Sequence, residues 1–278
     1  MNLNLTNFTP FFLITIIPFT SVLGSSASLI NTVLICLVLF YLLTKDKNFS
    51  FLGKKEFLLL ALIYGYLIFN TFISLDPKLG ALRNFGFLRL ILFFLALNYF
   101  VYKYDGLNKV FKIWIFVVIL IIIDSFFEFY YGKNILGFGG QYGNRIVSFF
   151  KDEPIVASYL NGFGFFLIGF IFDKYYFKNN YFKFLFYTFV IIFFSCILIT
   201  GERSNTIKTI FALIVFFYLN PYLNLKSKIF TTLGMIVIFT LIFNNSKYIK
   251  YRYFEYFIPF ITGKDNVHFI SNNNYIIL

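Results

Sequence analysis

Long apolar runs separated by short charged turns form the dominant pattern of this chain. The runs at Phe11–Leu43, Phe57–Leu75 and Trp114–Asp124 exceed or approach the roughly 17 to 25 residues that cross a hydrocarbon core. Each apolar run predicts a membrane-spanning helix, because backbone polar groups in lipid must be satisfied within the segment. The pattern predicts an all-α, polytopic transmembrane helix bundle of about nine spans, at about residues 11–24, 27–43, 57–74, 86–101, 111–128, 155–172, 184–200, 207–219 and 229–243.

The first of these runs is short and contains Pro18 and Gly24. Proline removes a backbone donor and interrupts helix hydrogen bonding. We therefore expect a broken or tilted first helix, with its freed carbonyl groups satisfied by neighbours. No basic segment precedes this run, so it is predicted to be a retained membrane segment and not a cleaved signal peptide.

Composition supports the membrane interpretation. Of 278 residues, 59% are hydrophobic and 13% are charged, against about 25% charged in an ordinary soluble domain. We expect a single transmembrane domain over residues 1–278 of an inner-membrane protein. Cys36 and Cys196 lie inside apolar runs, which predicts neither a disulfide framework nor a thiolate metal site.

The net charge of +12 comes from basic clusters between the apolar runs, an arrangement typical of topology determinants and lipid contacts. A nucleic-acid partner is therefore not expected, and membrane lipids are. The positive-inside rule predicts a cytoplasmic N-terminus and external segments at residues 129–154 and 244–278. The predicted cytoplasmic loops contain only lysine as basic residue: Lys45, Lys47, Lys54, Lys55, Lys103, Lys109, Lys112, Lys174, Lys178, Lys183, Lys226 and Lys228.

All five arginines fall in or beside the predicted external loops: Arg83, Arg89, Arg145, Arg203 and Arg252. Guanidinium presents a planar fork of donors that can grip phosphate or carboxylate in a bidentate way, whereas ammonium acts as a point charge. The segregation favours an external site for an anionic lipid phosphate. The alternative is that five residues segregate by chance, or that arginine only reaches the lipid headgroups.

Two segments carry candidate chemistry. The external loop at Tyr130–Pro154 contains five glycines, followed by Arg145, Lys151, Asp152 and Glu153. It is a candidate binding element, with an ordinary glycine-rich connector as the alternative. The second segment, TGERSN at Thr200–Asn205, places Glu202 and Arg203 at the lip of the bundle. Such a pair is a candidate site, although the two charges can also neutralise each other.

The loop sequence GNRIVSFFKDEPIVASYL, together with the downstream ITGERSNTIK, resembles the O-antigen ligase and O-antigen polymerase family of bacterial envelope enzymes. The resemblance implies a transferase that takes glycan from an undecaprenyl-diphosphate carrier at the periplasmic face, without metal or nucleotide cofactor. Its second substrate is a lipid or glycan acceptor. No Asp-x-Asp metal motif occurs in the chain.

The resemblance also implies residue roles. Arg145 and Arg203 are the expected diphosphate ligands, with Lys151, Arg83 and Arg89 as auxiliary ones. Asp152, Glu153 and Glu202 are the candidate orienting or acid/base groups. His268 is the only histidine, and three interpretations remain open for it: it is the family's catalytic base, Asn272 occupies that place, or His268 is an ordinary loop residue.

Family members continue through a long periplasmic loop and further helices, so we expect this chain to lack their C-terminal part. Two other interpretations stay open. One is a transporter or lipid flippase for an anionic substrate, which predicts polar groups distributed through the bundle and broken helices in corresponding halves. The other is an inactive truncated remnant.

Overall fold

A computed structural model describes residues 5–47, 55–103, 107–140, 145–151 and 153–255. Within these ranges every regular element is helical and no strand occurs. Twelve α-helices are present: α1 Leu5–Thr15, α2 Ile17–Leu23, α3 Ser25–Asp46, α4 Lys55–Phe72, α5 Pro77–Gly86, α6 Leu88–Lys103, α7 Leu107–Tyr131, α8 Val156–Ile171, α9 Asn180–Ile199, α10 Arg203–Leu219, α11 Leu225–Asn245 and α12 Lys247–Lys250. A 3₁₀ turn at Ser148–Phe150 and π-helical segments at Phe172–Tyr176 and Tyr251–Glu255 complete the elements.

Six helical segments in the described ranges are long and apolar enough to cross a membrane: Ser25–Asp46, Gly80–Val101, Asn108–Tyr131, Val156–Tyr176, Asn180–Ile199 and Leu225–Asn245. Only 6% of the most apolar part of the last segment is buried by protein, so its side chains need an apolar surrounding such as lipid. The chain is thus an all-helical membrane protein. Each of the nine predicted spans is helical, but six long apolar segments do not confirm nine crossings.

The first predicted span is interrupted. Helix α1 ends at Thr15 and α2 begins at Ile17, with Pro18 in its first turn, where a missing backbone donor has little cost. The side-chain amide of Asn31 donates to the Leu13 carbonyl oxygen at 3.2 Å. The expected break is therefore present, and a neighbouring polar side chain satisfies backbone beside it.

The chain divides into two compact units, residues 1–113 and 114–278. In the first unit, α3 packs against α2 and α6, and α4 packs against α5. Arg83 on α5 and Arg89 on α6 are exposed. The predicted single domain over residues 1–278 and the auxiliary role of these two arginines stay predictions.

In the second unit, α9 contacts α8, α10 and α11. Its last residues, 193–199, are all buried. Gly164 of α8 faces the ring of Phe193, where a Cβ would lie 2.2 Å from Cε2. The two helices therefore pack closely enough to exclude a larger residue at position 164.

The two segments predicted to be external begin slightly later than expected. Helix α7 continues to Tyr131, so the first connection starts at Gly132. Helix α11 continues to Asn245, and α12 and the second π-helical segment carry the chain to Glu255. Residues 256–278, including His268 and Asn272, lie outside the described residues.

Candidate functional site

The loop that carries Arg145 is held by two acidic side chains of α7. Both oxygens of Glu128 accept from the Val147 backbone N–H at 3.1 Å, and Oε2 also accepts from the Ser148 N–H at 2.6 Å. Asp124 accepts from the Ile135 N–H at 3.0 Å and from the Ser148 hydroxyl at 2.6 Å. The two carboxylates thus fix both ends of the connection.

Asn134 organises the same loop from within. Its amide nitrogen donates to the Ser148 carbonyl at 2.5 Å, and its amide oxygen accepts from the N–H groups of Leu136 and Phe138. Ser148 itself has a φ of +47°, a conformation that L residues rarely adopt. The surrounding hydrogen bonds are what stabilise this unfavourable backbone.

One glycine of the loop approaches Glu128 closely. Gly139 has a φ of +114°, and a Cβ there would lie 2.6 Å from Oε1 of Glu128. A side chain at this position would collide with the carboxylate. The structure therefore relates this glycine to the Glu128 carboxylate, and the binding role predicted for the loop stays a prediction.

Glu202 joins the starts of α8 and α10. Its Oε1 accepts from the Ala157 N–H at 3.0 Å, and Oε2 accepts from the Asn205 side-chain amide at 2.5 Å. The Asn205 amide also donates to the Ser158 hydroxyl at 2.9 Å. Both carboxylate oxygens of Glu202 are thus engaged in joining the two helix starts, and the neutralising pair with Arg203 stays an open alternative.

Burial raises the pKa of Glu202, and the Ala157 N–H, the Asn205 amide and the positive charge of Arg145 oppose that shift. Arg145 therefore lies near enough to act on this carboxylate through its charge. The connection before α8 and the connection before α10 meet at this point.

Three arginines and a tyrosine converge beside Glu202. Arg145 comes from the loop before α8, Arg203 begins α10, and Tyr248 and Arg252 lie after α11. Burial is the largest influence on both later residues: it raises the pKa of Tyr248 and lowers the pKa of Arg252. The charges of Arg145 and Arg203 then act on both groups.

Several polar atoms of this cluster have no hydrogen-bond partner among the described residues. They are Nε of Arg145, Nε of Arg252 and the hydroxyl of Tyr248, all of them buried. The Tyr248 hydroxyl lies close to the Arg145 guanidinium without forming a hydrogen bond of good geometry. Unpaired buried donors are costly, and a bound anion would satisfy them.

A cavity of about 530 Å³ opens beside the cluster. Arg145 and Tyr248 line it, together with Glu128, Tyr130 and Tyr131. Its wall thus combines a guanidinium group, a carboxylate, a hydroxyl and aromatic rings, and ligand pockets typically place a few polar groups among aromatic and apolar ones in this way. In the part of the chain that the structure describes, no three His, Cys, Asp or Glu side chains come together to hold a metal ion.

The structure does not show the other predicted site residues as members of this cluster. Lys151 and Glu153 are exposed. Asp152 and His268 lie outside the described residues. The ligand role of Lys151 and the acid/base roles of Asp152, Glu153 and His268 therefore stay predictions.

No family model, curated protein or solved structure matches the chain. The resemblance to the O-antigen ligase and polymerase family accordingly rests on the two sequence motifs alone.

Three residues of this site, Asp124, Glu128 and Tyr248, had no role assigned from the sequence, and Arg252 was included only as one of the five external arginines. Asp124 and Glu128 stand four positions apart within an apolar run, and ionisable residues at such positions are functional candidates. That signal was available and would have found them. Tyr248 carries no comparable signal, because a tyrosine after a final span is equally typical of a membrane interface.

Gly201 supports the position of Tyr248, which gives a first testable prediction. It has a φ of +71°, and a Cβ there would lie 3.0 Å from the Tyr248 hydroxyl oxygen. Gly201→Ala is expected to lower the free energy of unfolding by about 1–2 kcal/mol, the usual cost of a left-handed L residue. Chemical unfolding of the purified protein in detergent measures this change.

The matched control is Gly162→Ala in α8, where a Cβ meets nothing within 4 Å. It is expected to be neutral or stabilising by roughly 0.5–1 kcal/mol, because alanine favours the helix. Equal effects of the two substitutions would contradict the role of Gly201.

Proposed function

We propose that this protein is a membrane glycosyltransferase of the O-antigen ligase or polymerase type, which takes a glycan from an undecaprenyl-diphosphate carrier. The observation that carries the proposal is the convergence of Arg145, Arg203 and Arg252 around the buried, unpaired hydroxyl of Tyr248. Grouped guanidinium groups repel one another unless an anion lies between them.

The local charge favours an anionic ligand. The positive charge of Arg145 acts on the Glu202 carboxylate. The oxygens of this carboxylate already accept from the Ala157 N–H and the Asn205 side-chain amide. Glu128 is likewise engaged by backbone N–H groups of the loop. A diphosphate offers several oxygens that match the forked donors of guanidinium.

The proposed reaction uses these groups at the leaving group. The acceptor hydroxyl attacks the anomeric carbon of the donor sugar, the bond from that carbon to the diphosphate oxygen breaks, and the electron pair stays with the diphosphate. Preorganised arginines stabilise the charge that develops there. The acceptor proton passes to a base, for which Asp152, Glu153 and His268 are the candidates.

The membrane arrangement is part of the proposal. The interrupted pair α1–α2, together with α4 and α10, would raise the six long apolar segments to nine crossings. The lysine distribution supports a cytoplasmic N-terminus in a bacterial inner membrane and an external cation cluster.

This orientation is testable with two exposed lysines. In intact cells, an impermeant thiol reagent should label Lys133→Cys and should reach Lys178→Cys only after permeabilisation. The native Cys36 and Cys196 are buried, so background labelling should be low. Labelling of Lys178→Cys alone in intact cells would reverse the assignment.

The function is tested in vesicles that contain the purified full chain, a lipid-diphosphate-linked glycan and a glycan acceptor. A transferase produces a new glycan linkage and free lipid diphosphate. An anion-selective transporter or flippase, the main rival, moves the donor across the bilayer unchanged. Translocation without a new linkage, or neither process, would contradict the proposed transferase.

A further inference from the structure

Asp124 and Glu128 form a buried acidic pair with an unusual set of partners. Their exposed fractions are 0% and 4%. Buried carboxylates inside a membrane helix are expected to pair with cations or to bind protons. Here their donors are instead the N–H groups of Ile135, Val147 and Ser148 and the hydroxyl of Ser148, all from one loop.

The same loop sets the position of Arg145. Its backbone is fixed at Val147 and Ser148, two and three residues further along the chain. Nε of Arg145 itself has no hydrogen-bond partner among the described residues. The loop backbone therefore sets where the Arg145 side chain begins, and the acidic pair on α7 holds that backbone.

We propose that Glu128, assisted by Asp124, is a positioning residue that holds Arg145 in the anion-binding geometry. This inference rests on the proposed function for the identity of the anion, a diphosphate. Glu128 also lines the cavity beside Arg145, but both of its oxygens accept from loop N–H groups, and in this account it acts on the anion only through Arg145. Removing its charge should therefore weaken anion binding only while Arg145 is present.

Glu128→Gln is the informative substitution. Glutamine keeps the shape of the side chain, but its NH₂ group faces a backbone N–H that the carboxylate accepted. The loop end at Val147 and Ser148 should then shift away from its present position. Inorganic pyrophosphate is the probe, and its Kd is measured by calorimetry on the full chain in a neutral detergent at fixed salt.

Four proteins are compared with the wild type: Glu128→Gln, Arg145→Ala, the double variant, and Asp173→Asn as the control. Asp173 is an exposed carboxylate beside Lys174, so its loss removes the same charge elsewhere. Glu128→Gln is expected to weaken pyrophosphate binding about tenfold, an effect common for groups that orient a ligand-binding residue. The double variant should bind within about twofold of Arg145→Ala alone, because coupled residues are not additive.

Ser148→Ala gives a second, milder test in case Glu128→Gln does not fold. It removes only the hydroxyl bond to Asp124, and it should weaken binding about threefold, again only while Arg145 is present. The positioning role would be overturned if Glu128→Gln and Ser148→Ala each had an independent, multiplicative effect when combined with Arg145→Ala. Wild-type affinity in both Glu128→Gln and Ser148→Ala would overturn it as well.

The two proposals fail differently. If the wild type does not bind pyrophosphate, the anion site is wrong, and both the proposed function and this inference fall. If the coupling to Arg145 is found but no glycan is transferred, the positioning role stands and the proposed reaction falls.

Discussion

Replacing Arg145 or Arg203 by lysine is expected to lower the rate of glycan transfer by about tenfold to a thousandfold, equivalent to about 1.4–4 kcal/mol of transition-state stabilisation. Lysine keeps the charge but loses the forked, bidentate contact. The charges of both arginines act on Tyr248 and Arg252, so each substitution changes the same cluster. The rate is measured in reconstituted vesicles with a lipid-diphosphate-linked glycan.

The control for these variants is Lys178→Arg, at an exposed lysine of the predicted cytoplasmic loop between α8 and α9. It should leave the transfer rate unchanged. If the two arginines only reach lipid headgroups, lysine should replace either of them without loss, because it extends to the interface equally well. Wild-type turnover by both lysine variants, at normal membrane levels, would therefore disprove diphosphate binding.

Glu202→Ala is expected to lower the free energy of unfolding by about 2–5 kcal/mol. The substitution removes the carboxylate that accepts from both the Ala157 N–H and the Asn205 side-chain amide. Each unsatisfied buried donor costs about 1–3 kcal/mol. Unfolding in detergent, followed by helix content, measures the difference from the wild type.

Glu202→Gln separates this structural role from a catalytic one. Glutamine retains an oxygen for the Ala157 N–H but turns its NH₂ group toward the Asn205 amide, so stability should fall by about 1–3 kcal/mol, less than in Glu202→Ala. If Glu202 only joins α8 to α10, glycan transfer should persist in this variant. Loss of transfer in a stable Glu202→Gln protein would instead assign the carboxylate an acid/base role.

The helices of this protein could be predicted from the sequence because lipid imposes one strong rule on apolar runs. Each run that exceeded or approached the membrane thickness is helical, and the break expected from Pro18 occurs between Thr15 and Ile17. The number of crossings could not be fixed in the same way. Helices α4 and α10 and the pair α1–α2 are shorter than the six long apolar segments, and their length alone does not decide whether they span.

The candidate site was predictable only where side chains stand at the ends of apolar runs. Arg145 and Arg203 precede α8 and α10, so antiparallel helices bring them to one end of the second unit. Glu128 stood out as an ionisable residue within an apolar run, but its partners are backbone N–H groups nineteen and twenty residues away, which no residue pattern identifies. The role of Glu202 depends in the same way on the N–H of Ala157.

The most direct test of the account is to locate the donor diphosphate on the chain. A polyprenyl-diphosphate analogue with a photoactivatable group beside the diphosphate is crosslinked to the full-length protein in vesicles, and the adducts are mapped by mass spectrometry. The account predicts adducts in the segments around Arg145, Arg203 and Tyr248, which excess unlabelled lipid diphosphate abolishes and Arg145→Lys reduces. Adducts confined to other segments, or adducts that the competitor leaves unchanged, would contradict it.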